Sequence, residues 1–477
     1  FMENSVKKLN IKKIIIASVA SIFAVYFVTV GIRAIQLRKN SVVEPLTLQQ
    51  QTELNDFLNN NYSEQNEILT QLPYTTIPAK LDIGAESAIV INMANGNILY
   101  EKNPDEIIPP ASMTKIAVMY VVFQEIKKGT VSLKDIVPLP ENTWACNMPP
   151  HSSLMFLGKN QTVTLEELLL GLAVCSGNDA SYAIAEYICG GMEPFIQRMN
   201  DEVKALGLKN THFIETSGYS ELNTTTAREM ATLSRVYIKE FPESLKKFHS
   251  ALSFSYPKEH NLAPEDKGKP RAQDFSQGLP ENITMEIYQK NTNPLLGKLS
   301  GCDGLKTGYI DESGYNLALT AVRNGMRILS VTMKGPGNNT QEGQAGRVKD
   351  GTTIMEWAYS TFAEYKNPFL LRTYNIPLAC AKSERLPLIP AYKPESLLIP
   401  LSLVNNKTDL SKEINVHIEL PKLVRGKVDL GKEYGYIEYK IGDVCLEKIP
   451  LIAQRTIKQS NPFIYLADLI AQVAFYF

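Results

Sequence analysis

Apolar residues form one long run near the start of the chain, a second near its end, and many short runs between them. The first, Ile14 to Ile32, has no charged residue over about 19 positions and follows four lysines. A helix of that length just crosses ~30 Å of hydrocarbon. Because Thr29-Val30-Gly31 is a poor small-x-small cleavage site, the pattern predicts that residues 1–38 are an uncleaved membrane anchor with a cytoplasmic N terminus.

Residues 39–78 are polar and rich in Gln and Asn, which is typical of a stalk or of a disordered spacer.

From residue 79 to 368 the pattern is mixed. Asn95-Gly96 and Asn324-Gly325 each stand between two apolar runs, which indicates a β-hairpin with a two-residue turn. Helical patterns cover 110–129, 165–174, 180–190 and about 345–364. We therefore predict an α+β domain in which helices cover one antiparallel sheet, with the charged, Pro-rich segment 256–280 as a surface loop.

The remainder of the chain changes character twice. Residues 369–453 carry short strand patterns, including the period-2 segment VHIEL and a hairpin turn at Gly442-Asp443, and predict a small all-β, sandwich-like domain. Residues 454–477 form an apolar helix with one polar stripe. The stripe consists of Asn461, Tyr465, Asp468, Gln472 and Tyr476. A helix docked on the β domain fits this stripe, but the terminal position favours a helix lying in the membrane interface.

Composition excludes several classes of protein. The 49 Lys and Arg residues balance 50 Asp and Glu residues, so the basic excess of a nucleic-acid binder is absent from the sequence. The five histidines and six cysteines form no H-E-x-x-H or C-x-x-C motif. We therefore expect neither a metal nor a cofactor, and no nucleic-acid partner.

Three short motifs carry candidate chemistry. SMTK at 112–115 opens a predicted helix, SGN at 176–178 lies between two helices, and KTG at 306–308 lies on an apolar stretch before the second hairpin. The pattern S-x-x-K also begins at Ser5 and Ser244, so it is not specific alone. The order and spacing of all three together match the motif set of penicillin-binding proteins and class A β-lactamases.

The first motif has the parts of an activated nucleophile. Two prolines place Ser112 in the first turn of a helix, where free N–H groups and the helix dipole favour developing negative charge. Lys115, three residues later, shares that face. Its amine serves as a base only when it is neutral, and burial beside a second cation such as Lys306 would lower its pKa accordingly.

The other two motifs supply binding groups. Ser176 can relay a proton, and the amide of Asn178 can hold a substrate amide. Thr307 can bind a carboxylate, while Gly308 allows backbone to approach substrate at a strand edge. An extended substrate would then lie along that edge as an added strand.

With these motifs the sequence resembles the D-alanyl-D-alanine carboxypeptidases, which are low-molecular-mass penicillin-binding proteins. The likeness covers about 80–453 and includes the blocks PPASMTK, GCDGLKTGYIDESGYNLAL and KLVRGKVDLGKEYGYIEYKIGDVCLEKIPLIA. It implies a β-lactamase/transpeptidase-like domain followed by a small β domain. It also implies removal of the terminal D-alanine from peptidoglycan stem pentapeptides, covalent binding of β-lactams, and attachment to the bacterial cytoplasmic membrane with the catalytic domain on the periplasmic side.

The resemblance also implies roles for individual residues. The catalytic set is Ser112 as nucleophile, Lys115 as its base, Ser176 and Lys306, and the substrate-binding set is Asn178, Thr307, Gly308, Tyr309 and Arg347. The N–H groups of Ser112 and Tyr309 would form the oxyanion hole, and Arg347 would help Thr307 hold the terminal carboxylate. Ile310 departs from the family pattern, because many relatives have a hydroxyl-bearing residue there.

Two alternatives share parts of this pattern. A β-lactamase-like hydrolase needs rapid deacylation, and class A enzymes use a glutamate three residues before a Leu-Asn pair. Leu222-Asn223 is such a pair, but Tyr219 occupies the required position. A non-catalytic protein that only binds cell-wall peptide would keep the fold without needing the chemical residues, all of which are present.

Overall fold

The computed structural model describes residues 2–49, 51–52, 54, 56, 68–76, 79–269, 272–366, 372–405 and 409–475. Much of the predicted stalk, the predicted boundary at 368 and the stripe residue Tyr476 lie outside these residues. The chain divides into two compact units. The large unit comprises Glu67–Glu364 and Pro400–Ser402, and the terminal unit comprises Phe1–Asn66, Tyr365–Ile399 and Leu403–Phe477.

The elements alternate between helices and strands in the large unit and are mostly strands in the terminal unit. The helices are α1 (Met2–Arg38), α2 (Thr114–Lys128), α3 (Leu165–Leu170), α4 (Asn178–Cys189), α5 (Met192–Ala205), α6 (Ala227–Glu240), α7 (Thr340–Thr361) and α8 (Pro462–Phe475). The first strand, β1 (Val42–Pro45), belongs to the terminal unit. The strands that follow are β2 (Ser87–Asn92), β3 (Ile98–Lys102), β4 (Ile136–Val137), β5 (Val163–Thr164), β6 (Ser253–Tyr256), β7 (Ile287–Lys290), β8 (Cys302–Ile310), β9 (Gly314–Arg323), β10 (Met326–Gly335) and β11 (Phe362–Tyr365). The later strands are β12 (Arg372–Ala379), β13 (Arg385–Pro390), β14 (Leu397–Pro400), β15 (Asn415–Glu419), β16 (Val424–Arg425), β17 (Glu433–Ile441) and β18 (Val444–Ala453).

The large unit is built on a five-stranded antiparallel sheet in the order β3-β2-β10-β9-β8. Both predicted hairpins are present: β9 pairs with β10 around the two-residue turn Asn324-Gly325, and β2 pairs with β3. The predicted two-residue turn at Asn95-Gly96 is wrong, because the Asn92 N–H donates to the Asn97 carbonyl oxygen and leaves a four-residue loop. The strand β8 pairs with β9 on the side away from β10, so it lies at one edge of the sheet. This is the strand that carries the KTG motif.

Helices cover both faces of this sheet. Along β9, Ala318 belongs to the main hydrophobic core with α2, α4 and α6, whereas Leu317 and Leu319 face the other way. A side chain on Gly351 of α7 would approach Leu319 to 2.9 Å, which places α7 on that second face. The alternation follows from the two-residue period of a strand.

The last helix of the large unit differs from its prediction at both ends. It begins at Thr340, five residues before the predicted start, because the side chain of Asn339 accepts a hydrogen bond from the Glu342 N–H and caps it. It ends at Thr361, and Phe362 begins β11. The segment 256–280 also has more structure than a loop, since Tyr256 pairs with Ile287 in the short β6–β7 ladder.

The terminal unit contains a seven-stranded sheet. Its order is β1-β12-β13-β18-β17-β15, with the short β16 parallel to β12. The predicted turn at Gly442-Asp443 is confirmed between β17 and β18. Val42–Pro45, which the sequence placed in the polar stalk, pair with β12 as an edge strand. The α+β fold class, the all-β part and the apolar helices near both ends of the chain are confirmed.

Candidate active site

Ser112 lies in a single 3-10 turn, Ala111–Met113, that leads directly into α2. Ala111 has a positive φ of 48°, which is unusual for a residue with a side chain. The half-buried Ser112 therefore sits on a sharp bend at the helix N terminus. Such local strain persists only where neighbouring structure enforces it, and it is common at catalytic positions.

The side chain of Lys115 is completely buried and has three polar neighbours. Its Nζ lies 3.2 Å from Ser112 Oγ, 2.8 Å from Asn178 Oδ1 and 2.5 Å from the carbonyl oxygen of Ser217. The amide oxygen and the carbonyl oxygen can only accept hydrogen bonds. A neutral amine would donate its two N–H groups to them, and its lone pair would then face the hydroxyl of Ser112.

Burial is the main reason why the pKa of Lys115 falls from its ordinary value to about 7. The nearby carboxylates of Glu215 and Asp179 raise this pKa and partly oppose the effect of burial. A substantial fraction of the amine is therefore neutral near pH 7, which is the state that a base requires.

Ser176 and Lys306 form a second pair beside the first. A short π-helical turn, Gly171–Cys175, ends at Ser176, which has left-handed dihedrals of φ 59° and ψ 34°. Lys306 on β8 donates from Nζ to Ser176 Oγ at 3.0 Å and to the carbonyl oxygen of Thr307 at 3.0 Å. Burial, together with the charges of Lys115 and Arg347, lowers the pKa of Lys306 well below its usual range.

The backbone of β8 passes very close to the nucleophile at Gly308. A Cβ atom there would lie 2.5 Å from the carbonyl oxygen of Pro110 and 3.2 Å from the amide nitrogen of Ser112. Only glycine permits this approach. From the sequence motif we predicted that Gly308 lets backbone approach the substrate. The structure adds that the missing side chain of Gly308 also leaves room for the turn that carries Ser112.

The remaining predicted binding residues surround this strand. Thr307 is buried, and its hydroxyl donates to Thr292 Oγ1 at 2.9 Å. Tyr309 is 45% exposed and stacks on Tyr315 with ring centroids 4.3 Å apart. The guanidinium of Arg347 is buried and donates to the carbonyl oxygens of Gly308, at 2.5 Å, and of Asn316, at 3.1 Å.

Arg347 thus links β8 to β9 through the carbonyl oxygens of Gly308 and Asn316. Its guanidinium also lies over the ring of Tyr315, 5.0 Å from the centroid. Burial lowers its pKa to about 10. The charge is close to the site, but the described hydrogen bonds of the guanidinium go to backbone carbonyls.

Sequence reasoning missed the loop that holds Lys115 from the other side. The carboxylate of Glu215 accepts hydrogen bonds from the Ser217 N–H and hydroxyl and from the Gly218 N–H, each at 2.6 Å. It also accepts from Asn223 Nδ2 at 2.8 Å. These bonds fix the Ser217 carbonyl that Lys115 contacts. An acidic residue two positions before Ser-Gly was the only available signal.

Two further positioning residues lie deeper in the large unit. Asp179, next to Asn178, is fully buried and accepts from the backbone N–H groups of 155, 156, 157 and 180 at 2.8–3.1 Å. Asn316 on β9 donates from Nδ2 to the carbonyl oxygen of Pro109 at 3.0 Å and anchors the bend before Ser112. Both contacts join segments that are distant in sequence, so local patterns did not reveal them.

A serine beside a buried lysine of lowered pKa, with a second lysine on an edge strand, is the arrangement of a serine hydrolase. Known proteins place the chain within this class. Residues 74–337 match the D-alanyl-D-alanine carboxypeptidase family, and the chain belongs to that family. The resemblance that the motifs indicated is confirmed, as is the assignment as a serine peptidase.

Two curated relatives illustrate the likeness. The D-alanyl-D-alanine carboxypeptidase DacA of Escherichia coli (strain K12) is 31% identical over 410 residues, which is 83% of this chain and 89% of that protein. DacF of Bacillus subtilis (strain 168) is 29% identical over 378 residues, which is 79% of this chain and 87% of that protein.

Solved structures agree with the fold. Penicillin binding protein 5 from Haemophilus influenzae matches with a TM-score of 0.63 and 27% identity over 81% of this chain and 100% of that chain. Penicillin binding protein 6B from Escherichia coli matches with a TM-score of 0.59 and 26% identity over 81% of this chain and 100% of that chain.

Proposed function

We propose that the protein removes the terminal D-alanine from peptidoglycan stem pentapeptides through an acyl-enzyme on Ser112. The contacts of Lys115 carry this proposal. Because two of its three neighbours are obligate acceptors, the neutral amine has its lone pair available for the Ser112 hydroxyl at 3.2 Å. No other base is needed to activate the serine.

In the acylation step, Lys115 takes the Ser112 proton while Oγ bonds to the carbonyl carbon of the penultimate D-alanine. The N–H groups of Ser112 and Tyr309 stabilise the oxyanion. The peptide C–N bond then breaks, and the proton that Lys115 took from Ser112 passes through the Ser176 hydroxyl to the amine of the terminal D-alanine. Lys306, 3.0 Å from Ser176 Oγ, donates to this hydroxyl and holds it in place.

The substrate lies in an extended conformation along β8, which is an edge strand of the described sheet. The amide of Asn178 binds the substrate backbone, and Thr307 binds the terminal carboxylate. Arg347 supplies charge from behind the strand and holds the Gly308 carbonyl in position. Main-chain pairing of this kind gives affinity without fixing most side chains of the substrate.

Water completes the reaction by attacking the ester, so the products are free D-alanine and the shortened peptide. A penicillin enters the same path, because its strained amide replaces the D-alanyl bond. Its acyl-enzyme persists, since opening the ring leaves the departing group tethered in the site. The protein therefore binds β-lactams covalently.

The N-terminal helix α1 is apolar over Ile11–Arg38 and long enough to cross a membrane. Four lysines precede its uncharged part. We propose that α1 anchors the protein in the bacterial cytoplasmic membrane, with the rest of the chain on the periplasmic side, where its cell-wall substrate is located.

The test is labelling with a fluorescent penicillin, followed by measurement of D-alanine release from a stem pentapeptide. The wild-type protein should give both signals, and Ser112→Ala should give neither. Ser244→Ala is a matched control, because Ser244 begins another S-x-x-K sequence but lies outside the site; it should retain both.

Three other outcomes would contradict the proposal. Labelling that survives in Ser112→Ala would exclude this serine as the nucleophile. Peptide binding without an acyl-enzyme would identify a binding protein. Turnover of penicillin at a rate comparable to that of the peptide would identify a β-lactamase-like hydrolase.

A further inference from the structure

Two residues of the polar stripe of α8, Asp468 and Gln472, are buried in protein. Asp468 is completely buried and Gln472 is 6% exposed, whereas Phe463, Leu466 and Val473 are 44%, 52% and 77% exposed. The sequence left open whether this helix docks on the β domain or lies in a membrane interface, and the burial of Asp468 and Gln472 shows that part of its stripe faces protein. The helix is polar inside and apolar outside.

The partner of this stripe is α1, which lies at the other end of the chain. Val30 and Ala34 of α1 pack against Ala467 and Ala471 of α8. The small alanine side chains allow the two helices to approach closely, as small residues do at helix contacts within membranes. The ring of Tyr26 meets that of Phe463 edge-on, with centroids 4.8 Å apart.

A bidentate ion pair lies in this helix contact. Arg33 donates from Nε to Asp468 Oδ1 at 2.5 Å and from Nη2 to Asp468 Oδ2 at 2.8 Å. The backbone N–H of Cys380 donates to Oδ2 at 2.6 Å, so the carboxylate is bound to the sheet as well. The two side chains are 8% and 0% exposed, and Arg33 also lies 3.4 Å from the carboxylate of Glu384. Removal of Arg33 would therefore leave the Asp468 charge buried without a cation, and removal of Asp468 would leave Arg33 with its more exposed partner alone.

The contact extends along the part of α1 that would lie in the outer half of a bilayer. Arg33 follows immediately after the uncharged run that ends at Ile32, and Tyr26 is seven residues earlier, about 10 Å along a helix. With α1 placed across a bilayer, the exposed apolar side chains of α8 would face hydrocarbon rather than water. A lipid surface fits both outer faces.

The segment after α1 is also part of the terminal unit. Leu37 is buried against Ala379 and Cys380, and Arg385 donates to the carbonyl oxygens of Lys39 and Asn40. The strand β1 then extends the sheet next to β12. Cleavage of the chain near Gly31, as for a signal peptide, would leave most of these contacts but remove the part of the helix contact made by Tyr26 and Val30.

We propose that α1 and α8 form one two-helix membrane anchor, with the Arg33–Asp468 pair inside and apolar faces toward lipid, and that the working enzyme retains α1. The proposal extends the membrane attachment suggested above and does not depend on the reaction at Ser112. Each helix covers the polar groups of the other, so neither is a complete anchor alone.

The experiment uses the full chain in nanodiscs of phosphatidylethanolamine and phosphatidylglycerol. The intact mass of protein taken from bacterial membranes should include the residues before Tyr26. Hydrogen exchange is then measured over 464–474 for wild type, Arg33→Gln, Asp468→Asn and the double variant. Asp429→Asn is the matched control, because Asp429 belongs to an exposed ion pair with Lys427.

We expect each single variant to exchange at least tenfold faster over α8, and the control to match wild type. The second substitution should add much less than the first, because it removes a charge that has already lost its partner. A mass that begins after Gly31, single variants that exchange like wild type, or two additive effects would each overturn the proposal. Penicillin labelling of the same samples reports separately on the reaction at Ser112.

Discussion

Lys115 Nζ lies 3.2 Å from Ser112 Oγ, and its other two partners, Asn178 Oδ1 and the Ser217 carbonyl, can only accept hydrogen bonds. The protonated lysine would donate to all three oxygens and could not take a proton. The neutral amine leaves its lone pair for the serine. The protonation state of one buried side chain therefore controls the reactivity of the nucleophile.

The rate of acylation by benzylpenicillin should consequently rise with pH. Burial lowers the pKa of Lys115 to about 7, so the neutral fraction and the rate increase through that pH and level off above it. Stopped-flow acylation between pH 5 and 9 checks the profile. Lys115→Arg, whose guanidinium stays protonated, should lose about 100-fold or more of the rate. A flat profile in the wild type would contradict the assignment of Lys115 as base.

Glu215 should set the position of that profile. Its carboxylate raises the pKa of Lys115, so removing the charge in Glu215→Gln lowers that pKa and moves the midpoint to lower pH, by roughly 1 unit. Glu221→Gln, an exposed change in the same loop, is the control and should leave the midpoint in place. A shift to higher pH in Glu215→Gln would show that the carboxylate does not act on Lys115 as described.

Local patterns were sufficient for the features that depend on neighbouring residues. The Asn-Gly pairs indicated both hairpins, and Asn324-Gly325 forms the expected two-residue turn with positive φ at both residues. The first hairpin has a four-residue loop, Met93–Gly96, in which only Gly96 has a positive φ. The two prolines predicted Ser112 in the first turn of a helix, and it lies in the short turn that leads into α2, but the positive φ of Ala111 was not predicted. The start of α7 at Thr340 was missed, although Asn339 and Glu342 carry a recognisable capping pattern.

Contacts between distant segments could not be predicted in this way. The periodicity of α8 correctly isolated Asp468 on one face, but its partner Arg33 lies 435 positions away. A polar stripe looks the same whether water or another polar side chain covers it. The same limit applies to Asn316, whose amide is 207 positions from the Pro109 carbonyl that it binds.

Gly308→Ala should show whether the close contact between β8 and the Ser112 turn is needed for acylation. The added Cβ would lie 2.5 Å from the Pro110 carbonyl oxygen, so β8 or the Ser112 turn must move apart. A displacement of the nucleophile by about 1 Å is expected to lower the rate of acylation by about 100-fold. Gly346→Ala is the matched control, since its Cβ would come no closer than 3.5 Å to Pro336 and lies in helix α7. It should keep full acylation, and unchanged acylation in Gly308→Ala would refute the steric argument.

Asp179→Asn should affect both stability and acylation, because the Asp179 carboxylate binds the backbone of residues 155–157, and Asp179 is the neighbour of Asn178. Four backbone N–H groups point at its two oxygens, and an amide would direct its own NH2 group at some of them. We expect the free energy of unfolding to fall by roughly 3 kcal/mol. Denaturant titration measures this change, and penicillin labelling below the transition measures the site.

Asp201→Asn provides the comparison for that variant. Asp201 is exposed on α5 and accepts one hydrogen bond, from Gln197. Its substitution should change stability by less than about 0.5 kcal/mol. If the two variants were equally stable, the four bonds to Asp179 would not be holding the segment. If Asp179→Asn were destabilised but acylated at the wild-type rate, Asp179 would support the fold without positioning Asn178 beside Lys115.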